Sequence, residues 1–261
     1  MTGNRILIGV LLLLFSSFMA CKKVIKLEVN TGTPHIVIQG NIYDQMGPFS
    51  VKIFKSVNFD EPSLFPAVTG ATVTIHDNFG NSDRLVEKFP GIYYTTSIIG
   101  AAGKTYTLLI DSEGESYSAT STIPSPTSIG AIYFQKSLIG HAIYPVINFA
   151  DRANVANFYR LIYAINQKRQ PDINVTDDRL SEGLTISYLI RPTDNDIDLK
   201  SGDTVTVWLE TIDRGVYEYF RTMDRQGGQS ASPANPISNI SNGALGYFNA
   251  CSVRMLSTVV P

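Results

Sequence analysis

Short stretches of alternating apolar and polar residues recur along this chain, with turn residues between them. Within 71–76, Val73 and Ile75 alternate with threonines and His76, which is the period of two expected of a half-buried strand. Asp77 begins a turn, and similar stretches return about every 8–12 residues. This spacing predicts an all-β fold of two antiparallel β-sandwich domains, Ig-like or prealbumin-like, with one short helix in the second.

The predicted strands fall into two groups. Pro124 and Pro126 mark the boundary between them, so we predict an N-terminal sandwich over 35–124 and a C-terminal sandwich domain over 125–261. The first group of strands covers 35–43, 49–57, 71–76, 83–89, 92–98, 105–111 and 115–123. The second group covers 129–137, 142–151, 157–166, 184–192 and 203–213, and one or two closing strands lie within 245–260.

One helix is predicted near residues 214–226. Asp213 can cap its first turn, and Val216, Phe220 and Met223 fall on one face, while two glycines follow its end. The next segment, up to residue 243, is rich in Gly, Ser, Asn and Pro and is predicted to be a long loop. It is either a contact surface or a connection without function.

The first twenty residues have the pattern of a bacterial signal peptide. Arg5 supplies a positive charge, and residues 6–18 are apolar apart from one glycine and two serines. A transmembrane helix needs about twenty apolar residues, and lysines follow this shorter stretch closely. We therefore expect residues 1–20 to be an export signal and not a membrane span.

The residues that follow this stretch predict lipidation of Cys21. Phe18-Met19-Ala20-Cys21 resembles the lipobox of bacterial lipoproteins, in which the cysteine becomes the lipid-modified N-terminus. Residues 21–34 then read as a tether to the folded body, and the protein is expected on the outer membrane. The lysines after Cys21 replace the acidic residues that favour surface export, so the membrane face stays open. The alternative is a secreted protein, cleaved near Ala20, without a lipid anchor.

Composition argues against nucleic-acid binding, and the second cysteine has an expected structural role. The formal net charge is −2, and no basic run or basic helix face points to nucleic acid. If Cys21 carries lipid, Cys251 has no partner for an intrachain disulfide bond. It lies in an apolar stretch, so a buried, unreactive thiol is expected there.

The sequence carries no recognisable catalytic or metal-binding motif. His35, His76 and His141 lie in or near separate strands, and no G-x-S-x-G, H-E-x-x-H or paired C-x-x-C sequence occurs. Trp208 alternates with apolar residues in a way that leaves its face undetermined. We therefore predict no catalytic residues, no metal ligands and no cofactor, and the ligand-binding residues stay unknown.

One acidic stretch, Asp194–Asp198, has the spacing that opens a calcium loop. The EF-hand pattern needs glycine at its sixth position and an acidic residue at its twelfth, and the chain has Leu199 and Val205 there. An EF-hand is therefore excluded. Solvated acids before a turn are the simpler interpretation, and a looser calcium site near this stretch stays open.

Several segments together resemble the DUF4249 family of Bacteroidetes outer-membrane lipoproteins. They include "HIVIQGNIYD", "VTGATVTIHDNFGN", "YSATSTIPSP" and "GDTVTVWLETIDRGVYEYFRTMD". The closing segment "NPISNISNGALGYFNACSV" is the most specific, with Asn239, Gly243, Gly246, Tyr247 and Phe248. The resemblance implies a lipoprotein commonly encoded beside TonB-dependent receptors, and it transfers no catalytic residues.

We therefore expect a non-enzymatic accessory lipoprotein of a TonB-dependent nutrient uptake system, which binds substrate or caps the receptor. The alternative is a free-standing surface adhesin or glycan-binding module. A hydrolase whose catalytic residues only the fold brings together is the third hypothesis. The expected partners are the outer membrane, through the N-terminal lipid, and a TonB-dependent receptor, with no nucleic acid.

Overall fold

A computed structural model of the chain describes residues 33–57, 65–137, 142–192, 199–226 and 235–261. The predicted signal peptide 1–20, Cys21, nearly all of the tether 21–34, His141 and the acidic stretch Asp194–Asp198 lie outside these residues. So does the middle of the predicted loop 226–243.

Strands dominate the described residues, as the alternating pattern predicts. The first half contains β1 (Ile36–Tyr43), β2 (Ser50–Lys55), β3 (Thr72–Asp77), β4 (Ser82–Arg84), β5 (Val86–Phe89), β6 (Ile92–Tyr94), β7 (Thr105–Ser112) and β8 (Glu115–Thr122). The second half contains β9 (Ile129–Lys136), β10 (Ile143–Ala150), β11 (Phe158–Ile165), β12 (Lys168–Arg169), β13 (Asn174–Asp177), β14 (Thr185–Leu189), β15 (Thr204–Ile212), helix α1 (Arg214–Gln226) and β16 (Leu245–Val259). The all-β prediction is confirmed.

Two sheets enclose a first hydrophobic core. One sheet has the order β5-β6-β2-β1 and continues into the first half of β16, and the other has the order β4-β3-β7-β8. Their alternating apolar residues meet in one cluster, to which Ile38 and Val51 contribute from the first sheet and Ile75 and Leu108 from the second. This is the sandwich that the period-two pattern of the first half predicts.

A second core lies between two further groups of strands. Strands β11 and β15 and the second half of β16 form one layer, with β12 and β13 paired to β11. Strands β14, β10 and β9 form the other layer. Phe149 of β10 packs against Tyr159 of β11, with ring centroids 4.8 Å apart, and Leu161, Val207 and Leu209 complete the centre of the cluster.

Strand β16 belongs to both halves of the molecule. Residues 245–251 pair in parallel with β1, and residues 252–259 pair antiparallel with β15. The closing strand therefore returns to the first core, and residues 34–261 form one compact unit. The division into domains over 35–124 and 125–261 stays a prediction. The parallel pair departs from the purely antiparallel prediction. No local pattern encodes a pairing between strands some 200 residues apart.

Helix α1 lies at the predicted position, and it covers a third apolar cluster. Val216 and Phe220 are buried against Phe158, Ile212 and Cys251, whereas the predicted third member of this face, Met223, is exposed. In the described part of the chain, no helix combines the length and the apolar character needed to cross a bilayer.

The predicted strand 83–89 is two strands in different sheets. β4 pairs with β3, and β5 pairs with β6. The buried Leu85 separates them and contributes to the first core. The strand partners available on either side of Leu85 decide this change of sheet.

Candidate functional site

The layer formed by β11, β15 and the second half of β16 has an outer face, which points away from the second core. On β15, Val205, Val207 and Leu209 point into the second core, so Trp208 and Glu210 lie on the opposite face. Trp208 stands directly opposite Ile162 of β11 and Met255 of β16. Strand register thus decides the face of the single tryptophan, which its sequence left undetermined.

A cavity of about 370 Å³ opens on this face. Its lining combines a half-buried indole, a buried aliphatic side chain, uncharged polar groups and charged groups of both signs. The lining residues are Tyr43, Gln45, Ile162, Arg169, Trp208, Glu210 and Val253. Tyr43 ends β1 and Gln45 follows it, so both halves of the chain contribute to the cavity.

A buried ion pair holds one wall of this cavity. Arg160 of β11 and Glu210 of β15 stand opposite each other, and Arg160 Nη1 donates to Glu210 Oε2 at 3.0 Å. The guanidinium carbon of Arg160 lies 3.8 Å from the ring centroid of Phe220 in α1. The guanidinium is therefore fixed on two sides, and it positions the Glu210 carboxylate at the cavity wall.

Tyr43 contributes a neutral phenol to the same cavity. Burial raises its pKa, and the negative charge of Glu210 raises it further. The hydroxyl therefore stays protonated at neutral pH and can both donate and accept a hydrogen bond. Together with the Gln45 amide, it places uncharged hydrogen-bonding groups beside the apolar surface of Trp208. This arrangement suits the binding of a small polar ligand.

A second group of residues could hold a metal ion. The carboxylate oxygens of Asp151, Asp178 and Glu182 lie within 4.8 Å of one another, and both aspartates are buried. Tyr159 Oη donates to Asp151 at 2.6 Å, and the backbone N–H of Asn157 donates to Asp178 at 2.6 Å. Such an oxygen set is the type that a hard cation such as Ca²⁺ prefers.

Sequence reasoning missed this acidic group because its members come from two loops. Asp151 follows β10, whereas Asp178 and Glu182 lie between β13 and β14. The acidic residues that the sequence does place together, Asp194–Asp198, lie outside the described residues. Metal ligands are recognisable in a sequence when they are closely spaced, and these three residues are brought together only by the fold.

The Arg160–Glu210 pair had a weak sequence signal that was also missed. Each residue is the single charged side chain of its strand, in the apolar segments "FYRLIYAI" and "TVTVWLETI". A lone charge within an apolar strand has a high desolvation cost and therefore calls for a partner. The sequence does not identify that partner, because 50 residues separate the two.

The predicted environment of Cys251 is confirmed. The thiol is fully buried in the cluster under α1, and burial raises its pKa well above the ordinary value. The thiol is therefore protonated and unreactive. Cys21, the predicted lipidation site, stays a prediction.

The described end of the predicted loop 226–243 packs against the first half of the chain. Ile240 is buried and forms an isolated bridge with Ala119 beside the first core. The Asn239 side chain donates to the carbonyl of Phe248 at 2.8 Å and accepts from its N–H at 2.9 Å. This part of the loop therefore connects the two halves of the molecule.

The closing motif has a structural explanation in the β1–β16 pair. Gly246 has φ +98°, and a Cβ atom there would lie 1.9 Å from the carbonyl oxygen of Ile38. Phe248 stands opposite Gly40 and fills the space above it, and Tyr247 packs on Phe220 at 4.9 Å. These residues let the closing strand approach β1 and dock under the helix.

Comparison with curated proteins found no match. The family model described as "Domain of unknown function (DUF4249)" matches residues 22–257. The match covers β1 to β15, helix α1, all but the last two residues of the shared strand β16, and the cavity at Trp208. The chain belongs to the DUF4249 family.

Proposed function

We propose that this protein is a non-enzymatic lipoprotein of the outer membrane that assists a TonB-dependent uptake system. It would bind substrate, or cap the receptor, with a body attached to the membrane through lipidated Cys21. The signal-like residues 1–20 and the lipobox-like segment before Cys21 support the anchor. The family resemblance supports the association with a receptor.

The cavity at Trp208 is the observation that carries the binding role. It joins residues from both halves of the described chain, and one of its charged groups, the Glu210 carboxylate, is held by a neighbour. Glu210 is fixed by Arg160, which is itself fixed by Phe220. A preformed carboxylate beside an aromatic surface favours ligand binding, because this group loses little conformational entropy when the ligand arrives.

A free-standing adhesin or glycan-binding module is the second candidate. The accessible indole of Trp208 favours it, since an exposed aromatic face can bind a sugar without any receptor. Both candidates use the same cavity, and they differ in whether a receptor is present.

The test is purification from the native host with a C-terminal tag, in mild detergent, followed by mass spectrometry of all components. A lipidated Cys21 peptide together with a stoichiometric β-barrel receptor is the expected result. A lipidated protein that purifies alone overturns the receptor association and favours the adhesin. An unmodified Cys21 peptide, or a protein cleaved after it, overturns the anchor.

Cys21→Ser provides the matched variant for the anchor. It removes the sulfur that would carry the lipid and changes no described residue. We expect the variant to leave the membrane fraction, while the wild-type chain remains in it after a high-salt wash. Equal membrane retention of the two chains would contradict a lipid anchor at this residue.

A further inference from the structure

We propose that the cavity at Trp208 binds an uncharged saccharide, with one sugar ring lying against the indole. The inference rests on the binding role proposed above and gives that role a ligand class. Three properties of the lining lead to it: an accessible aromatic surface, hydrogen-bond donors together with acceptors, and charged groups of both signs.

The aromatic face is held in place by its neighbours across the sheet. Ile162 and Met255 flank Trp208 on the two adjacent strands, Ile162 being buried and Met255 mostly exposed. The indole is therefore supported from one side and accessible from the other. A sugar ring presents a flat face of C–H groups, which matches an aromatic surface of this kind.

The polar groups around the indole match the hydroxyl edge of a sugar. Hydroxyl groups both donate and accept hydrogen bonds, so their site needs acceptors and donors together. Glu210 offers a carboxylate, Arg169 a guanidinium, and Tyr43 and Gln45 offer groups that do both. Glu210 is held by Arg160, so this acceptor is in place before a ligand arrives.

The polar and charged groups of the lining argue against apolar ligands and against ions. A fatty chain would bury the polar groups of Tyr43, Gln45 and Arg169 without hydrogen bonds, which is costly. An anion that approaches Arg169 also meets the Glu210 carboxylate, and a cation that approaches Glu210 meets Arg160 and Arg169. An uncharged, polyhydroxylated ligand avoids each of these costs.

The single tryptophan allows a direct test on the full chain. The protein is purified in a detergent without a sugar headgroup, and Trp208 fluorescence is followed during titration with cellobiose, maltose, lactose, mannobiose and diacetylchitobiose. Digalacturonate and octanol represent the anionic and apolar classes. We expect a saturable change in emission with at least one neutral sugar, and weaker binding of both other probes.

Variants then locate the binding site by calorimetry. Trp208→Ala is expected to lower the affinity for the sugar by about tenfold or more. Gln45→Ala, at an exposed position, should lower it by several-fold. Tyr133→Ala is the control, because this tyrosine is an exposed aromatic residue on β9, in the opposite sheet. The control should bind as the wild type does.

Three results would overturn the saccharide site. They are no binding of any neutral sugar, tighter binding of digalacturonate or octanol, and sugar binding that both pocket variants leave unchanged. Gln45→Ala keeps the test decisive if Trp208→Ala does not fold. The outcome is independent of the receptor, because a protein that purifies alone can still bind sugar, and a receptor complex can form without any sugar.

Discussion

The carboxylate of Asp213 is hydrogen-bonded to the hydroxyl group of Ser121, across the two halves of the chain. Ser121 Oγ donates to Asp213 Oδ2 at 2.5 Å, while Oδ1 accepts from the backbone N–H of Val216 at 2.9 Å in the first turn of α1. Ser121 Oγ also accepts from the N–H of Ala250 at 2.8 Å. One predicted helix cap therefore joins α1, β8 and β16.

We expect Asp213→Ala to lower the free energy of unfolding by about 2–3 kcal/mol. The substitution removes the cap of α1 and leaves the buried Ser121 without its acceptor. Urea unfolding followed by circular dichroism measures the change. Asp111→Ala is the control, since Asp111 is exposed and its change should stay within about 0.5 kcal/mol. Equal stability of the two variants would show that the junction contributes little.

Gly246→Ala tests the close approach of β16 to β1. The new Cβ would overlap the carbonyl oxygen of Ile38, at 1.9 Å, in a backbone conformation that disfavours alanine. We expect a loss above about 3 kcal/mol, or no folding at all, in thermal unfolding. Gly243→Ala is the matched control, because Gly243 has φ +69° but open space around it. Gly243→Ala should lower the free energy of unfolding by only about 1 kcal/mol. Similar losses in the two variants would contradict the overlap at Gly246.

Asp83 is expected to contribute to the pH dependence of stability. Burial by itself raises its pKa, but hydrogen bonds from the N–H groups of Ser97 and Ile98 and from Thr96 outweigh it, so the pKa lies below the ordinary 3.8. The folded state thus favours the carboxylate. Its contribution is complete above the unfolded pKa and is lost as pH falls through the folded pKa.

Asp83→Asn should therefore be less stable than the wild type at pH 7 and lose less stability between about pH 5 and pH 3. Urea unfolding across this range measures both effects. Thr96→Val removes one hydroxyl donor and keeps the backbone donors, so an intermediate slope is expected. An unchanged slope in Asp83→Asn would mean that other groups determine the acid sensitivity.

The buried pair Arg160–Glu210 should behave as a unit. Arg160→Leu leaves a carboxylate that is 2% exposed without its cation, and we expect a loss of about 3–5 kcal/mol. The double substitution with Glu210→Leu should recover most of that loss, because no unpaired charge remains. A double-mutant cycle in urea measures the coupling. Additive single effects would show that the pair is not coupled in the folded state.

Local sequence patterns determined the secondary structure of this protein to a large extent. The alternation at Val73 and Ile75 places both residues in the first core, and Asp213 and Phe220 act in α1 as their spacing predicts. Such patterns are local, because the side-chain period of a strand or helix is written within a few consecutive residues.

Only the tertiary structure decided how these elements combine. The parallel pairing of β16 with β1, the sheet change at Leu85 and the face of Trp208 depend on strand partners far along the chain. The same holds for the meeting of Arg160 with Glu210 and of Asp151 with Asp178. These contacts form because buried charges, carbonyl groups and apolar faces must find partners in three dimensions, and no local period specifies which partner is available.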